Sequence, residues 1–217
     1  MIRACFFDMD RTLVRVNTAT LYARWQRRTG AARRRDVARM SWWILRYTFG
    51  VIDAEDLARS LARPMRGRDE ATFASAIKTW VEDEVLEHIT ESARREVERR
   101  RSQGYLCALL TGSTVYSAEP VARAAGIEHV LCTRLAVDEG GLFTGEIVAP
   151  FCFGQGKVEA AEAWAREHDV NLAESAFYTD SISDLPMLER VGEPVVVNAD
   201  PRLRWVAWRR RWPVIEW

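Results

Sequence analysis

Lysine is almost missing from this chain: only Lys78 and Lys157 break a basic complement that is otherwise arginine. Each therefore invites a specific explanation, although Lys78 lies in an ordinary helical pattern. Net charge is missing as well, since 31 acidic residues balance 31 basic ones. No whole-molecule field then draws the protein to nucleic acid or to an anionic membrane. Histidine is scarce, and His88, His129 and His168 are scattered without metal-ligand spacing, which argues against a histidine-built metal centre. The cysteines, Cys5, Cys107, Cys132 and Cys152, show no C-x-x-C spacing. The first two fall inside apolar runs, so reduced packing residues are expected. No apolar run approaches the roughly 20 residues of a membrane span; the aromatic-rich stretch 40–52 is short and contains Arg46. Asp8, Asp10 and Arg11 interrupt the segment where a signal peptide needs an unbroken apolar stretch. A cytoplasmic protein is expected.

What is present suits a compact fold. The 217 residues, 48% hydrophobic and 29% charged, match one medium domain or a core of about 150 residues with a smaller insert. Short apolar runs at 2–7, 105–110, 175–178 and 194–197 read as buried parallel strands. Helical patterns lie between them, at 91–102 ahead of Gly104, at 115–125 ahead of Gly126, and at 158–167. This alternation predicts an α/β fold with a mostly parallel, doubly wound, Rossmann-like sheet. From about 15 to 88 the patterns are helical and no strand is convincing, which predicts a helical insert after the first strand. Residues 134–148 read instead as a small β-hairpin, because Asp138-Glu139-Gly140-Gly141 supplies a turn between alternating segments.

In doubly wound sheets, ligands bind beyond the carboxyl ends of the strands, and the polar residues fall there. The first strand ends in Asp8 and Asp10, with Thr12 just beyond. The second ends in Thr111, Gly112 and Ser113, and a later one in Asp180, Ser183 and Asp184. Between the last two, GQGKV places Lys157 at the start of a helix. Carboxylates from distant segments would converge on one crevice, where like charges cannot stay ionised together without a cation. Magnesium suits such a set, being hard, oxygen-seeking and able to share its shell with phosphate. A lysine and a small hydroxyl residue followed by backbone amides suit the remaining oxygens of a phosphoryl group. The set reads as phosphoryl transfer. The GQGK segment lacks the upstream glycine and following Ser or Thr of a P-loop, and Glu159 stands where a dinucleotide fingerprint needs glycine.

At these residues the chain resembles the haloacid dehalogenase superfamily, whose motifs are a D-x-D-x-T strand end, a Thr or Ser after an apolar strand, a Lys, and a closing acidic pair. All four occur in order. The spacing of about 100 residues between the first two is similar to that of subfamily IB, the phosphoserine-phosphatase-like branch, whose helical (type C1) cap follows the first motif. The resemblance implies a catalytic core over residues 1–14 and 89–217 and a cap over 15–88. It implies that Asp8 is the nucleophile and that Asp10 is the general acid and then the base. It further implies a magnesium site from Asp8, the Asp10 carbonyl and Asp180, with Asp184 and Ser183 in support. Thr111, Gly112, Ser113 and Lys157 would bind the phosphoryl group, and Thr12 would fix the first turn. Asp10 favours a phosphatase over a dehalogenase, since expelling halide requires no proton.

Asn17 falls where phosphoserine phosphatases of this branch carry a glutamate for the substrate ammonium, so a change of specificity is expected. Arg59 and Arg63 are candidates for a substrate carboxylate. The expected function is magnesium-dependent hydrolysis of a small-molecule phosphate monoester by a monomer or homodimer, without nucleic acid or a membrane span. The alternatives are a phosphotransferase using the same site, and a non-catalytic binding or regulatory protein acting through the Arg/Trp-rich stretch. That stretch comprises Arg24, Arg27, Arg28, Arg33, Arg34, Arg35 and Arg39, followed by Trp42 and Trp43.

Overall fold

The computed structural model describes residues 2–30, 42 and 54–217. Arg33, Arg34, Arg35, Arg39 and Trp43 of the Arg/Trp-rich stretch lie outside them, while Trp42 is exposed.

Seven strands form one sheet in the order β4-β3-β2-β1-β5-β6-β7. They are β1 (Ala4–Phe7), β2 (Leu106–Thr114), β3 (His129–Val137), β4 (Phe143–Val148), β5 (Ala176–Thr179), β6 (Glu193–Val197) and β7 (Val214–Ile215). All neighbours pair in parallel except β3 and β4, which run antiparallel around the turn that follows Val137. β1 is central, between β2 and β5, and all four of its residues are fully buried. Its side chains alternate between the two faces of the sheet, as the period of two requires. Cys5 and Phe7 join a core with helices on one face, while Ala4 and Phe6 join a separate core on the other. All four cysteines are free thiols.

Among the described residues the longer helices are α1 (Thr18–Arg28), α2 (Ala54–Ala62), α3 (Glu70–Glu84), α4 (Glu91–Ser102), α5 (Val115–Ala125), α6 (Gln155–Glu167), α7 (Leu185–Arg190) and α8 (Pro201–Arg210). Local chemistry sets their ends. Asn17, Asp69, Thr90 and Asp200 each accept a backbone N–H in the first turn of α1, α3, α4 and α8, satisfying donors that the helix itself leaves orphaned. Gly126 ends α5 at φ +77°, a left-handed conformation that glycine adopts without steric cost. α1, α2 and α3 all lie in the chain between β1 and α4, and Leu57, Ile77 and Trp80 on α2 and α3 are buried.

From β1 the strand order runs outward on one side through β2 and β3 and on the other through β5 and β6. The carboxyl end of β1 is therefore the crevice where the connections part. Among the described residues no helix is long and apolar enough to cross a membrane.

Candidate active site

The sequence FFDMDRTL makes a tight loop immediately after β1. Asp8 still pairs with the sheet, its N–H donating to Tyr178 O at 2.9 Å, and the Met9 carbonyl then accepts from the amides of Leu13 and Val14 at 3.0 Å each. Arg11 sits at φ +54°, a conformation that favours glycine. Two contacts hold it there: Asn198 Nδ2 donates to its carbonyl at 2.8 Å, and its guanidinium lies 3.9 Å from Asp180 Oδ2. Thr12 is buried beneath the loop, and its carbonyl accepts from Trp217 Nε1 at 2.7 Å.

The loop leads directly into α1, whose first residue completes the geometry of Asp10. Thr18 donates to Asp10 Oδ1 twice, from its amide at 3.1 Å and from its hydroxyl at 2.7 Å. Both bonds fall on one oxygen, Oδ1, and leave Oδ2 out of the Thr18 contact. Sequence reasoning missed Thr18, and the signal lay in its place just after the helix cap.

Lys157 reaches the loop from the first turn of α6. The residue is 2% exposed, and its ammonium lies 2.6 Å from Asp8 Oδ1 and 2.7 Å from Asp184 Oδ2. Asp184 Oδ2 also accepts from Thr179 Oγ1 at 2.6 Å. Asp184 thus anchors the lysine and the end of β5. Gly156 allows this approach, because a Cβ there would lie 1.8 Å from Phe151 O.

At the tip of β2, the Thr111 hydroxyl is buried and accepts from Ser113 N at 3.2 Å. Thr133 Oγ1 donates to Gly112 O at 2.9 Å, pinning the bulged end of the strand. Ser183 is bonded to Ser181 through their hydroxyls, 2.9 Å apart. Asp200, a second residue that sequence reasoning missed, accepts from Ile182 N at 2.7 Å while capping α8. It ties the loop after β5 to the loop after β6.

The electrostatics follow from crowding. Burial pushes the Asp8 carboxyl up to about 7; Lys157 works against the shift, and Asp184 and Asp10 add to it. Burial, then Asp8 and Asp184, push Asp180 up to about 8. Burial also raises Asp10, against the two Thr18 bonds. Burial works against the charge of Lys157, but Asp184 and Asp8 outweigh it and hold the ammonium well above its ordinary value.

The donor set fits a hard divalent cation. Asp8, Asp10, Asp180 and Asp184 meet one buried lysine and the exposed Arg11 guanidinium, and Asp184 Oδ1 is buried with no hydrogen-bond partner, so the acids outnumber the cations beside them. Among the described residues no three His, Cys, Asp or Glu side chains already converge as a ligand shell. Magnesium does not require that, since one or two carboxylates with waters and substrate phosphate complete its octahedron.

Asp8, Asp10, Arg11, Thr18, Thr111, Gly112, Ser113, Lys157, Asp180, Ser183, Asp184 and Asp200 open on one cleft of about 720 Å³, together with Asn17 and residues of α1, α2 and α3, while Thr12 does not line it. Asn17 Oδ1 accepts from the Thr20 amide and hydroxyl at 2.9 and 3.0 Å, so its acceptor is committed to the helix cap. Arg59 and Arg63 are both exposed, Arg59 pairs with Asp56 at 2.8 Å, and neither lines the cleft. The arginine that does line it beside α3 is Arg68.

Fold and site together define a hydrolase of the haloacid dehalogenase type, and comparison with known proteins agrees. The family model for haloacid dehalogenase-like hydrolases matches residues 5–189, and the chain belongs to that family. Within it, the chain is a phosphatase of the phosphoserine-phosphatase-like kind. A probable phosphatase of Mycobacterium tuberculosis is 32% identical over 215 residues, covering 98% of this chain and 74% of that protein. A protein of unknown function from Bordetella pertussis Tohama I has a crystal structure that matches at a TM-score of 0.86 and 31% identity, covering 99% and 98% of the two chains. A substrate-bound phosphoserine phosphatase shares the fold at a TM-score of 0.70 and 19% identity, covering 100% of this chain and 93% of that one.

Proposed function

We propose that this phosphatase hydrolyses a small-molecule phosphate monoester through an aspartyl phosphate on Asp8. The observation that carries the reading is the Lys157 ammonium fixed 2.6 Å from Asp8 Oδ1 inside a carboxylate-lined cleft. It holds the nucleophile in one rotamer and provides a buried positive charge for the incoming phosphoryl oxygens.

Asp8 attacks phosphorus as the bond to the ester oxygen breaks, and Asp10 Oδ2 delivers a proton to the departing alkoxide. Water then attacks the aspartyl phosphate, Asp10 takes the water's proton, and inorganic phosphate leaves with Asp8 restored. Thr18 keeps Asp10 turned toward this task. The Thr111 hydroxyl and the amides of Gly112 and Ser113 bind the transferred oxygens opposite Lys157, while Thr12 supports the loop. Asp8, the Asp10 carbonyl and Asp180 would hold magnesium, with Asp184 and Ser183 behind them. When bound, the cation offsets charge on the phosphoryl oxygens.

Residues 1–14 and 89–217 act as the catalytic core in this reading, and 15–88 as a helical cap of the C1 type. The hairpin β3–β4 forms the side of the cleft next to it, through Leu135 and Ile147. A shared site leaves the phosphotransferase reading chemically accessible, and product analysis separates the two. The test is Asp8→Asn with p-nitrophenyl phosphate and magnesium: turnover should fall at least about 1000-fold, some 4 kcal/mol of transition-state stabilisation, with the fold intact by circular dichroism. Retention of a tenth of wild-type activity would rule out the covalent route.

A further inference from the structure

Within the phosphatase reading, on which this rests, the cleft divides into two chemically different halves. The half at the strand ends carries the carboxylates and Lys157. The other half, formed by α1, α2, α3 and the link between the last two, is lined by Tyr22, Leu61, Met65, Phe73, Ile77 and Trp80. The only ionisable side chain of opposite character to those acids on that wall, among the described residues, is the Arg68 guanidinium. No carboxylate of the described residues 17–80 lines the cleft. An ammonium on the leaving alcohol would find no counter-charge among the described residues of that wall, and a buried unpaired charge is unfavourable.

A second observation is independent of composition. Trp80 is 3% exposed and packs edge-on against Tyr22 at 5.1 Å, yet its indole Nε1 is buried without a hydrogen-bond partner. Native proteins leave few buried donors unpaired. Tyr22, by contrast, accepts from Gln26 Nε2 at 2.9 Å, and both residues line the same wall. Ser60 lines the wall as well, so a few polar groups are set in an apolar, aromatic surround, and Trp80 Nε1 is the buried donor among them without a partner.

We propose that the alcohol portion of the substrate is an uncharged or anionic apolar group, aromatic in the first instance, that presents an oxygen acceptor to Trp80 Nε1. Burial of the ring supplies binding, the Trp80 N–H fixes its orientation, and Arg68 excludes cationic competitors.

The test compares kcat/KM, with magnesium and the wild-type protein, for benzyl phosphate, 4-methoxybenzyl phosphate, glycerol 3-phosphate, phosphoethanolamine and phosphoserine. All five release alkyl alcohols, so leaving-group reactivity does not favour the aromatic members. Both benzyl esters should exceed each of the other three by at least about tenfold, a modest return for burying one ring. The methoxy ester should exceed the plain one, and Trp80→Phe should bring that ratio to about one. Preference for phosphoserine or phosphoethanolamine overturns the inference and leaves the phosphatase reading standing. Hydrolysis of p-nitrophenyl phosphate without either benzyl ester does the same. A methoxy-to-plain ratio unchanged in Trp80→Phe overturns the role of Nε1. Failure to hydrolyse any ester, p-nitrophenyl phosphate included, would overturn the phosphatase reading and this inference with it.

Discussion

The Thr18 hydroxyl donates to Asp10 Oδ1 at 2.7 Å while the Thr18 amide donates to the same oxygen at 3.1 Å. Helix α1 therefore does more than line the cleft: its first residue sets the carboxylate that would handle the proton in the proposed mechanism. Thr18→Val keeps the size and the amide bond but removes the hydroxyl. A hydrogen bond to a charged group is worth about 1.5–3 kcal/mol, so kcat should fall roughly tenfold to a hundredfold with little change in KM. Thr18→Ser should retain most activity, and steady-state kinetics on the three proteins will show whether it does.

That bond marks a limit of what the sequence discloses. The convergence of Asp8, Asp10, Thr111, Asp180 and Asp184 on one cleft was legible because strand ends in a parallel sheet collect on one side and each apolar run stops at a polar residue, and that of Lys157 because the GQGK segment opens a helix at the same end. Thr18 was not, because its role depends on the turn of chain between Asp10 and α1, which no periodicity records. The helical patterns at 91–102 and 115–125 coincide with α4 and α5, since Gly104 and Gly126 mark where they stop. α6 starts one turn earlier than its apolar pattern, at Gln155, because its first turn is occupied by Gly156 and Lys157, residues placed by the site and not by the core. Residues 134–148 read as a hairpin, but β3 begins at His129 and its first half pairs in parallel with β2. A strand that changes partner along its length carries no sequence signal of the change. Arg59 and Arg63 stand close to Arg68 in sequence, and only the backbone course beside the Asp69–Leu142 bridge decides which of them meets the cleft.

Removing the buried ammonium should be costly. Lys157→Met leaves Asp8 and Asp184 facing each other without the cation that now bonds both. Breaking a buried ion pair from one side costs about 3–5 kcal/mol. Chemical denaturation in the presence of a chelator should show a loss of that order. Magnesium, by binding the folded state alone, should return part of it.

Gly156→Ala should damage stability and activity together, because the new Cβ would fall 1.8 Å from Phe151 O, a backbone atom that cannot rotate away. The first turn of α6 must shift, and Lys157 with it. Overpacking of this kind costs at least about 1–3 kcal/mol. Gly140→Ala is the control, since its Cβ meets only the Asp138 carboxylate at 3.3 Å, and its melting temperature should stay close to wild type.

A pH effect is expected far from the cleft. Arg100 is buried and donates to Tyr178 Oη and Glu193 Oε2 at 2.8 Å each, and to Glu96 Oε1 at 3.3 Å. Burial works to raise both glutamates, but hydrogen bonds from Arg99 and Tyr178 to Glu96, and from Tyr105 and Arg100 to Glu193, outweigh it and hold them below their ordinary value. A carboxylate depressed in the folded state stabilises fully above its unfolded value, about 4.3, and loses that contribution as the pH falls through the folded one. Glu96→Gln combined with Glu193→Gln should therefore weaken the protein at pH 7 and flatten the acid limb of its stability profile. Urea midpoints measured from neutral pH downward will show the gap closing; a constant gap would contradict the assignment.

Trp217 stacks on Tyr178 and gives its indole N–H to the carbonyl of Thr12, 205 positions earlier in the chain. A contact of that sequence separation closes only once the sheet between its ends has assembled, so the loop that carries Asp8 and Asp10 owes this brace to the tertiary fold and not to its own local sequence.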